Sequence, residues 1–286
     1  MKKSLTLSAA LLAASAFVAP AMAEHHGDKE AVHEQLESPL DPILASDIRK
    51  DDMARDKYRH PKDTLVFFDI RPDMKVGEYA PGGGWYSRIL GPLLAEKGQY
   101  VGLFFNPDNL PFSDEAKERT RAGAAKFPED VAKWTGISAD KFPTYTMDKV
   151  PAEAKGTMDR ILIIRMMHNM LRWNMADSEI AAMRDLLKDD GMIGIVQHRA
   201  KADASYALSD GNKGYLREAD VIKFMEVHGF ELVNSSEVNA NDKDTADYEN
   251  GVWTLPPAFA KKDVDKEKYE AIGESDRMTL LFKKRP

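Results

Sequence analysis

The chain has 286 residues, no cysteine and a formal net charge of −7 at pH 7. The missing cysteines exclude disulfides, thiolate metal sites and cysteine nucleophiles together. The acidic balance argues against nucleic acid and anionic membrane surfaces as partners, because both require clustered Lys and Arg.

The first residues read as a targeting segment. Lys2 and Lys3 precede an apolar stretch from Leu5 to Val18, and Ala21-Met22-Ala23 forms an A-x-A cleavage site. That pattern predicts a signal peptide over 1–23, cleavage after Ala23 and a periplasmic mature protein. The run is too short and too interrupted by Ser to span a bilayer, which needs about 20 apolar residues. No stable membrane insertion is therefore expected after cleavage. Residues 24–40 are polar, carry His25, His26 and His33, and predict a flexible lead-in. What remains, 41–286, has the length of a single domain with one core.

From Asp41 the spacing of Ile43, Leu44, Ile48, Met53 and Ala54 suggests one helix or two short ones, ending before His60-Pro61. Strands and helices then alternate. Met74 to Ala80 predicts a strand, Trp85 to Ala95 a helix and Gln99 to Phe105 a second strand. Two helices follow, at Ser113 to Lys126 and Asp130 to Thr135, and then a short strand from Thr144 to Met147. Arg160 to Met166 is a continuous apolar run, as expected of a strand covered on both faces. Asp177 to Lys188 reads as an amphipathic helix, and Asp189-Asp190-Gly191 as a turn into the strand Met192 to Gln197. Arg217 to His228 predicts a helix, Glu231 to Ser235 a strand, 237–276 a long irregular insert, and Met278 to Lys283 a closing strand. Such alternation implies a parallel sheet with helices on both faces.

In an open parallel sheet, ligands bind beyond the carboxyl ends of the strands, near the point where strand order reverses. The loop after the first strand is Glu78-Tyr79-Ala80-Pro81-Gly82-Gly83-Gly84-Trp85-Tyr86. An acid ends the strand, and small residues then allow a tight turn with backbone close to a ligand. It is not a phosphate-binding P-loop, because no Gly-Lys-Ser/Thr follows, and it lacks the G-x-G-x-x-G dinucleotide spacing. It resembles the first motif of class I S-adenosylmethionine-dependent methyltransferases, acid-x-Gly-x-Gly-x-Gly, with Glu78 as the acid and Ala80, Gly82 and Gly84 at the glycine positions. Further strings are similar to exported predicted methyltransferases: Arg55-Asp56 with Arg59 and Pro61, Gly251-Val252-Trp253-Thr254-Leu255-Pro256-Pro257, and Gly273-Glu274-Ser275-Asp276-Arg277-Met278. The resemblance covers roughly 60–286.

The resemblance implies a Rossmann-like three-layer α/β sandwich, mostly parallel with an antiparallel last strand, and S-adenosylmethionine as cofactor. It implies a cofactor site at Glu78, Ala80, Pro81, Gly82, Gly83, Gly84, Tyr86, Asn106, Asp148 and Arg165, with Asp148 contacting adenine. The second strand ends in Asn106 where the family usually has an acid for the ribose, and an amide is the weaker acceptor. His168 and His198 follow successive strands and are candidate general bases, since His titrates near neutrality. Asn169, Arg199, Trp253 and Asp276 are candidate substrate contacts. Arg55, Asp56, Tyr58, Arg59 and His60 form a charged cluster ahead of the first strand, read as either a lid or a solvated helix face. No set of His and carboxylates has metal-ligand spacing. The expected activity is methyl transfer to an O, N or S atom of a small molecule. The alternative is a catalytically inactive protein that binds a nucleoside or other small ligand on the same fold.

Overall fold

The computed structural model describes residues 39–109 and 111–286. The leader at 1–23, and His25, His26 and His33, lie outside the described residues. Seven strands form one sheet in the order β3-β2-β1-β4-β5-β7-β6. They are β1 (Lys75–Tyr79), β2 (Gln99–Phe104), β3 (Thr144–Thr146), β4 (Met158–Ile164), β5 (Leu187–His198), β6 (Phe230–Ser236) and β7 (Arg277–Lys284). Strands β1 to β5 pair in parallel, and β7 runs antiparallel between β5 and β6. Consecutive strands spread first toward β3 and then, after β3, toward the opposite edge. The reversal falls between β1 and β4.

Alternation along each strand feeds two cores. Val76, Tyr100 and Leu162 face one side, where Leu65, Ile89, Leu90, Leu93, Phe127 and Val131 pack from the helices Pro61–Phe67, Ser87–Leu94 and Asp114–Thr135. Tyr79, Val101, Leu103, Ile161 and Ile163 face the other, against Met170, Ile180, Met183, Leu186, Val221 and Met225 of the helices Met167–Arg172, Ala176–Leu186 and Glu218–Val227. The result is the three-layer sandwich expected from the alternating pattern. Two close approaches need glycine. A Cβ at Gly102 would lie 2.7 Å from the Phe127 ring, and one at Gly194 would lie 2.8 Å from Phe68.

Three local expectations are corrected. The two helices expected on either side of Pro128 are a single helix, Asp114–Thr135, capped by Ser113 and ended at Gly136 with φ 74°. Ala124, Phe127 and Val131 hold it to the sheet on both sides of the proline, so packing outweighs the one lost N–H. Asp189-Asp190-Gly191 is not a turn: β5 begins at Leu187, and the register against β4 shifts between Met158 and Arg160. Lys188 Nζ pins this irregular stretch to Asp159 at 2.6 Å. The insert at 237–276 contains a 3-10 turn, Gly251–Thr254, and a helix, Lys266–Ile272. Buried Asp244 ties it down by accepting from Tyr215 Oη and from the backbone N–H groups of Ala246 and Asp276.

Ile163 is fully buried at the centre of β4. Ile163→Ala should cost about 2–5 kcal/mol through lost transfer energy and the cavity left behind. Urea unfolding checks this, and a change within error would mean that β4 does not organise the core.

Candidate functional site

The carboxyl ends of β1, β4 and β5 open onto a cavity of about 530 Å³, within the range of small-molecule sites. Its floor is the turn after β1. Ala80 and Gly82 have φ of 52° and 57°, a conformation that small residues and glycine reach most cheaply. A Cβ on Gly82 would meet nothing nearer than the Ala80 carbonyl at 3.9 Å, and one on Gly83 nothing within 4 Å. Both glycines line the cavity, so their bare backbone presents space that any side chain would fill. Gly84 serves a different purpose, because a Cβ there would lie 2.1 Å from the Trp134 ring.

Glu78, next to last in β1, is buried and accepts a 2.5 Å hydrogen bond from Tyr100 Oη, which also meets Ser87 Oγ at 2.8 Å. Burial raises its carboxyl to about 7, against the pull of Tyr100, Ser87 and the nearby Arg165. Trp85 meets two cations, with the Arg49 and Arg59 guanidiniums 5.2 and 4.7 Å from its ring centre.

The opposite wall follows β4 and β5. Arg165 leaves β4 with φ 58° and lines the cavity. Burial, then the neighbouring Arg59 and Arg277, lower its guanidinium to about 9. His168 and His198 stand with ring centres 5.6 Å apart. Gln197 fixes the orientation of His168: its Nε2 donates to the carbonyl of Gly214 at 2.8 Å. Its Oε1 must therefore accept, 3.2 Å from His168 Nδ1. That makes Nδ1 the protonated nitrogen and leaves Nε2 with a free lone pair. Burial lowers His168 to about 4 and His198 well below its ordinary value, so both rings are neutral at pH 7. His198 Nδ1 is 2.5 Å from Ser275 Oγ.

Of the residues expected at the site, Glu78, Ala80, Pro81, Gly82, Gly83, Tyr86, Arg165, His168, Asn169, His198 and Trp253 all line this one cavity. Five others do not. Gly84 sits under Trp134. Asn106 gives its N–H to the buried Glu179 carboxylate at 2.9 Å, and its side chain accepts from Asp108 N. Asp148 pairs with Arg121 at 3.2 Å. Arg199 and Asp276 pair with each other at 3.0 Å, and Arg199 also engages Glu218 and Glu237. The charged cluster before β1 is no solvated face: Arg59 is 3% exposed, and Arg55 and Arg59 line the cavity. Both donate to Glu274, at 2.6 and 3.2 Å, and Arg277 joins them at 3.1 Å. Asp52, Arg88, Arg172 and Trp173 also line the cavity although no sequence pattern singled them out. Arg172 lies over both Trp173 and Trp253, 5.1 and 5.4 Å from their rings. Among the described residues, no group of three or more His, Asp or Glu is placed to hold a metal ion.

No family model matches the chain, and no curated protein matches it. Solved structures do. A [4+2]-cyclase, SpnF, aligns with a TM-score of 0.50 at 13% identity, covering 89% of this chain and 95% of that one. A SAM-dependent methyltransferase from Aquifex aeolicus gives 0.49 at 15%, covering 82% and 96%. The 1,6-didemethyltoxoflavin-N1-methyltransferase of Burkholderia thailandensis, solved with bound 1,6-didemethyltoxoflavin and S-adenosylhomocysteine, gives 0.45 at 12%, covering 96% and 94%. At these identities the likeness concerns architecture alone: the chain has a Rossmann-like α/β fold, mostly parallel with an antiparallel β7, which it shares with SpnF. Fold alone does not choose among chemistries.

The buried carboxyl of Glu78 gives the site a pH signature. It ionises near 7 in the folded chain and near 4.5 when unfolded, so the folded state holds a proton that the unfolded state has lost between those values. Its stability contribution is complete below about 4.5 and disappears as pH rises through about 7. Glu179, raised to about 7 by burial, acts with the same sign. His168 acts oppositely and weakens the fold as pH falls from 6.5 toward 4. Glu78→Gln removes only the first of these effects. Urea unfolding across the window should show wild type losing stability relative to the variant as pH rises, whereas a pH-independent difference would contradict the assignment.

Proposed function

We propose that the protein is an S-adenosylmethionine-dependent methyltransferase acting on an O, N or S atom of a small molecule, exported to the periplasm by its leader. The observation that carries this reading is the bare backbone of Gly82 and Gly83, which line the cavity with no neighbour where a side chain would stand. Ala80, Pro81, Gly82 and Gly83 would hold the cofactor's methionine end above Glu78. When bound, the cofactor supplies a methyl group activated by a sulfonium. The chain's own residues align the acceptor and receive its proton. His168 suits that role: Gln197 occupies Nδ1 and leaves Nε2 as the acceptor. Burial keeps the ring unprotonated at neutral pH, at some loss of basicity. Asn169 and Trp253 line the same space and would contact the acceptor.

One observation favours a second reading, a ligand-binding protein without turnover. The cavity lining does not include Asn106 or Asp148, and β2 is followed by an amide where a carboxylate would hold the ribose. S-adenosylhomocysteine at about 100 times its Kd should stabilise wild type by about 2.7 kcal/mol. Gly83→Leu should abolish that stabilisation without lowering the unliganded melting temperature, since its Cβ meets no atom within 4 Å. Absence of a shift in wild type at millimolar ligand would overturn cofactor binding. Given a turnover assay, His168→Ala should slow the reaction by about 10²–10⁴-fold with S-adenosylhomocysteine binding unchanged. An unchanged rate would remove the base, and binding without turnover would favour the second reading.

A further inference from the structure

The chain as a whole is acidic, yet its cavity is strongly cationic. Arg55, Arg59, Arg88, Arg165 and Arg172 all line it, against Asp52 and Glu78. Asp52 is taken by Arg88 in a two-pronged pair at 2.5 and 2.8 Å. Glu274, just behind the wall, is shared by Arg55, Arg59 and the buried Arg277. Among the described residues no carboxylate pairs with Arg165 or Arg172, and Arg172 Nε goes to the Asn169 amide oxygen. Three buried guanidinium nitrogens here have no acceptor: Arg55 Nη2, Arg59 Nη2 and Arg165 Nε. Each such N–H is costly to leave unmade, and the like charges of Arg59, Arg277 and Arg55 already act against Arg165.

The cofactor of the proposed function does not relieve this excess. S-adenosylmethionine carries one carboxylate against an ammonium and a sulfonium, so it brings net positive charge into a site already crowded with cations. Its carboxylate can accept from some of these donors, but the ligand's net positive charge leaves the cationic excess uncompensated. A negative group on the acceptor would offset it. Planar guanidiniums bind carboxylate and phosphate oxygens through paired, charge-assisted hydrogen bonds. We propose that the methyl acceptor is a small-molecule oxyanion, seated against Arg59 and Arg165 with its reacting atom toward His168.

This inference rests on the methyltransferase reading, and the experiment separates the two. S-adenosylhomocysteine is first titrated calorimetrically into the full protein, and failure there is failure of the cofactor reading. With it saturating, benzoate, phenyl phosphate and the neutral benzamide are titrated in turn. At least one oxyanion should bind about tenfold or more tighter than benzamide, and which of the two binds tighter distinguishes carboxylate from phosphate. The preference should fall in Arg165→Gln, recover in part in Arg165→Lys, and fall also in Arg172→Gln, whose exposed side chain makes loss of fold no explanation. Benzamide binding as tightly as both oxyanions, with S-adenosylhomocysteine bound, would overturn the proposal. So would an oxyanion preference left intact in a folded Arg165→Gln.

Discussion

The carboxylate of Glu274 is the interaction on which the candidate site depends. One oxygen accepts from Arg55 at 2.6 Å, and the other accepts from Arg59 and Arg277 at 3.2 and 3.1 Å. The first two partners lie 219 and 215 residues away in sequence. A single buried acid thus draws the segment before β1 onto the start of β7 and closes one side of the cavity. Arg277 pairs in register with His198 across β5 and β7, and its guanidinium also reaches the carbonyl of Tyr58. Without Glu274, three guanidiniums would be left in a poorly hydrated place with no counter-charge, a far larger cost than loss of a surface pair.

That cationic wall and the two histidines impose opposite conditions on one another. Burial first, and for His168 then the nearby Arg172 and Arg165, keep the imidazole neutral. A neutral ring is available as a proton acceptor from the outset. It is a weak one, because burial first and then the nearby cations disfavour the protonated ring. Gln197 makes this arrangement directional, since its two polar ends are committed to Gly214 and His168 and cannot exchange roles without breaking a buried hydrogen bond. Under the proposed function, an anion bound against this cationic wall would favour proton acceptance by His168 through charge as well as proximity.

The fold was legible because its signals are local. The alternation of strand and helix segments, the apolar run from Arg160 to Met166 and the glycine loop at Pro81 to Gly84 each reflect a backbone requirement that neighbouring residues express together. The part of the site carried by strand ends was legible for the same reason: Glu78, Arg165, His168 and His198 follow directly from where strands stop. What sequence did not reveal arises from contacts across long separations. Arg199 directly follows β5, as a substrate residue should, but three acids from distant segments claim it. Arg59 reads as one charge among several on a short helix, and only the fold brings it to Trp85 and Glu274. Asp148 and Asn106 sit near the expected strand ends, yet Arg121 pairs with Asp148, and the Asn106 side chain accepts from Asp108 N. The sequence separates Ser113 to Lys126 from Asp130 to Thr135, because the sheet contacts that carry one helix through Pro128 are tertiary.

A crystal structure of the protein with S-adenosylhomocysteine shows directly where a ligand lies over the sheet. The ligand's amino-acid end should run along Ala80 to Gly83, with its sulfur facing His168 and the β4 and β5 ends. Density placing the sulfur toward Asn106 and Asp148, with the arginine-lined cavity left open to solvent, would contradict it.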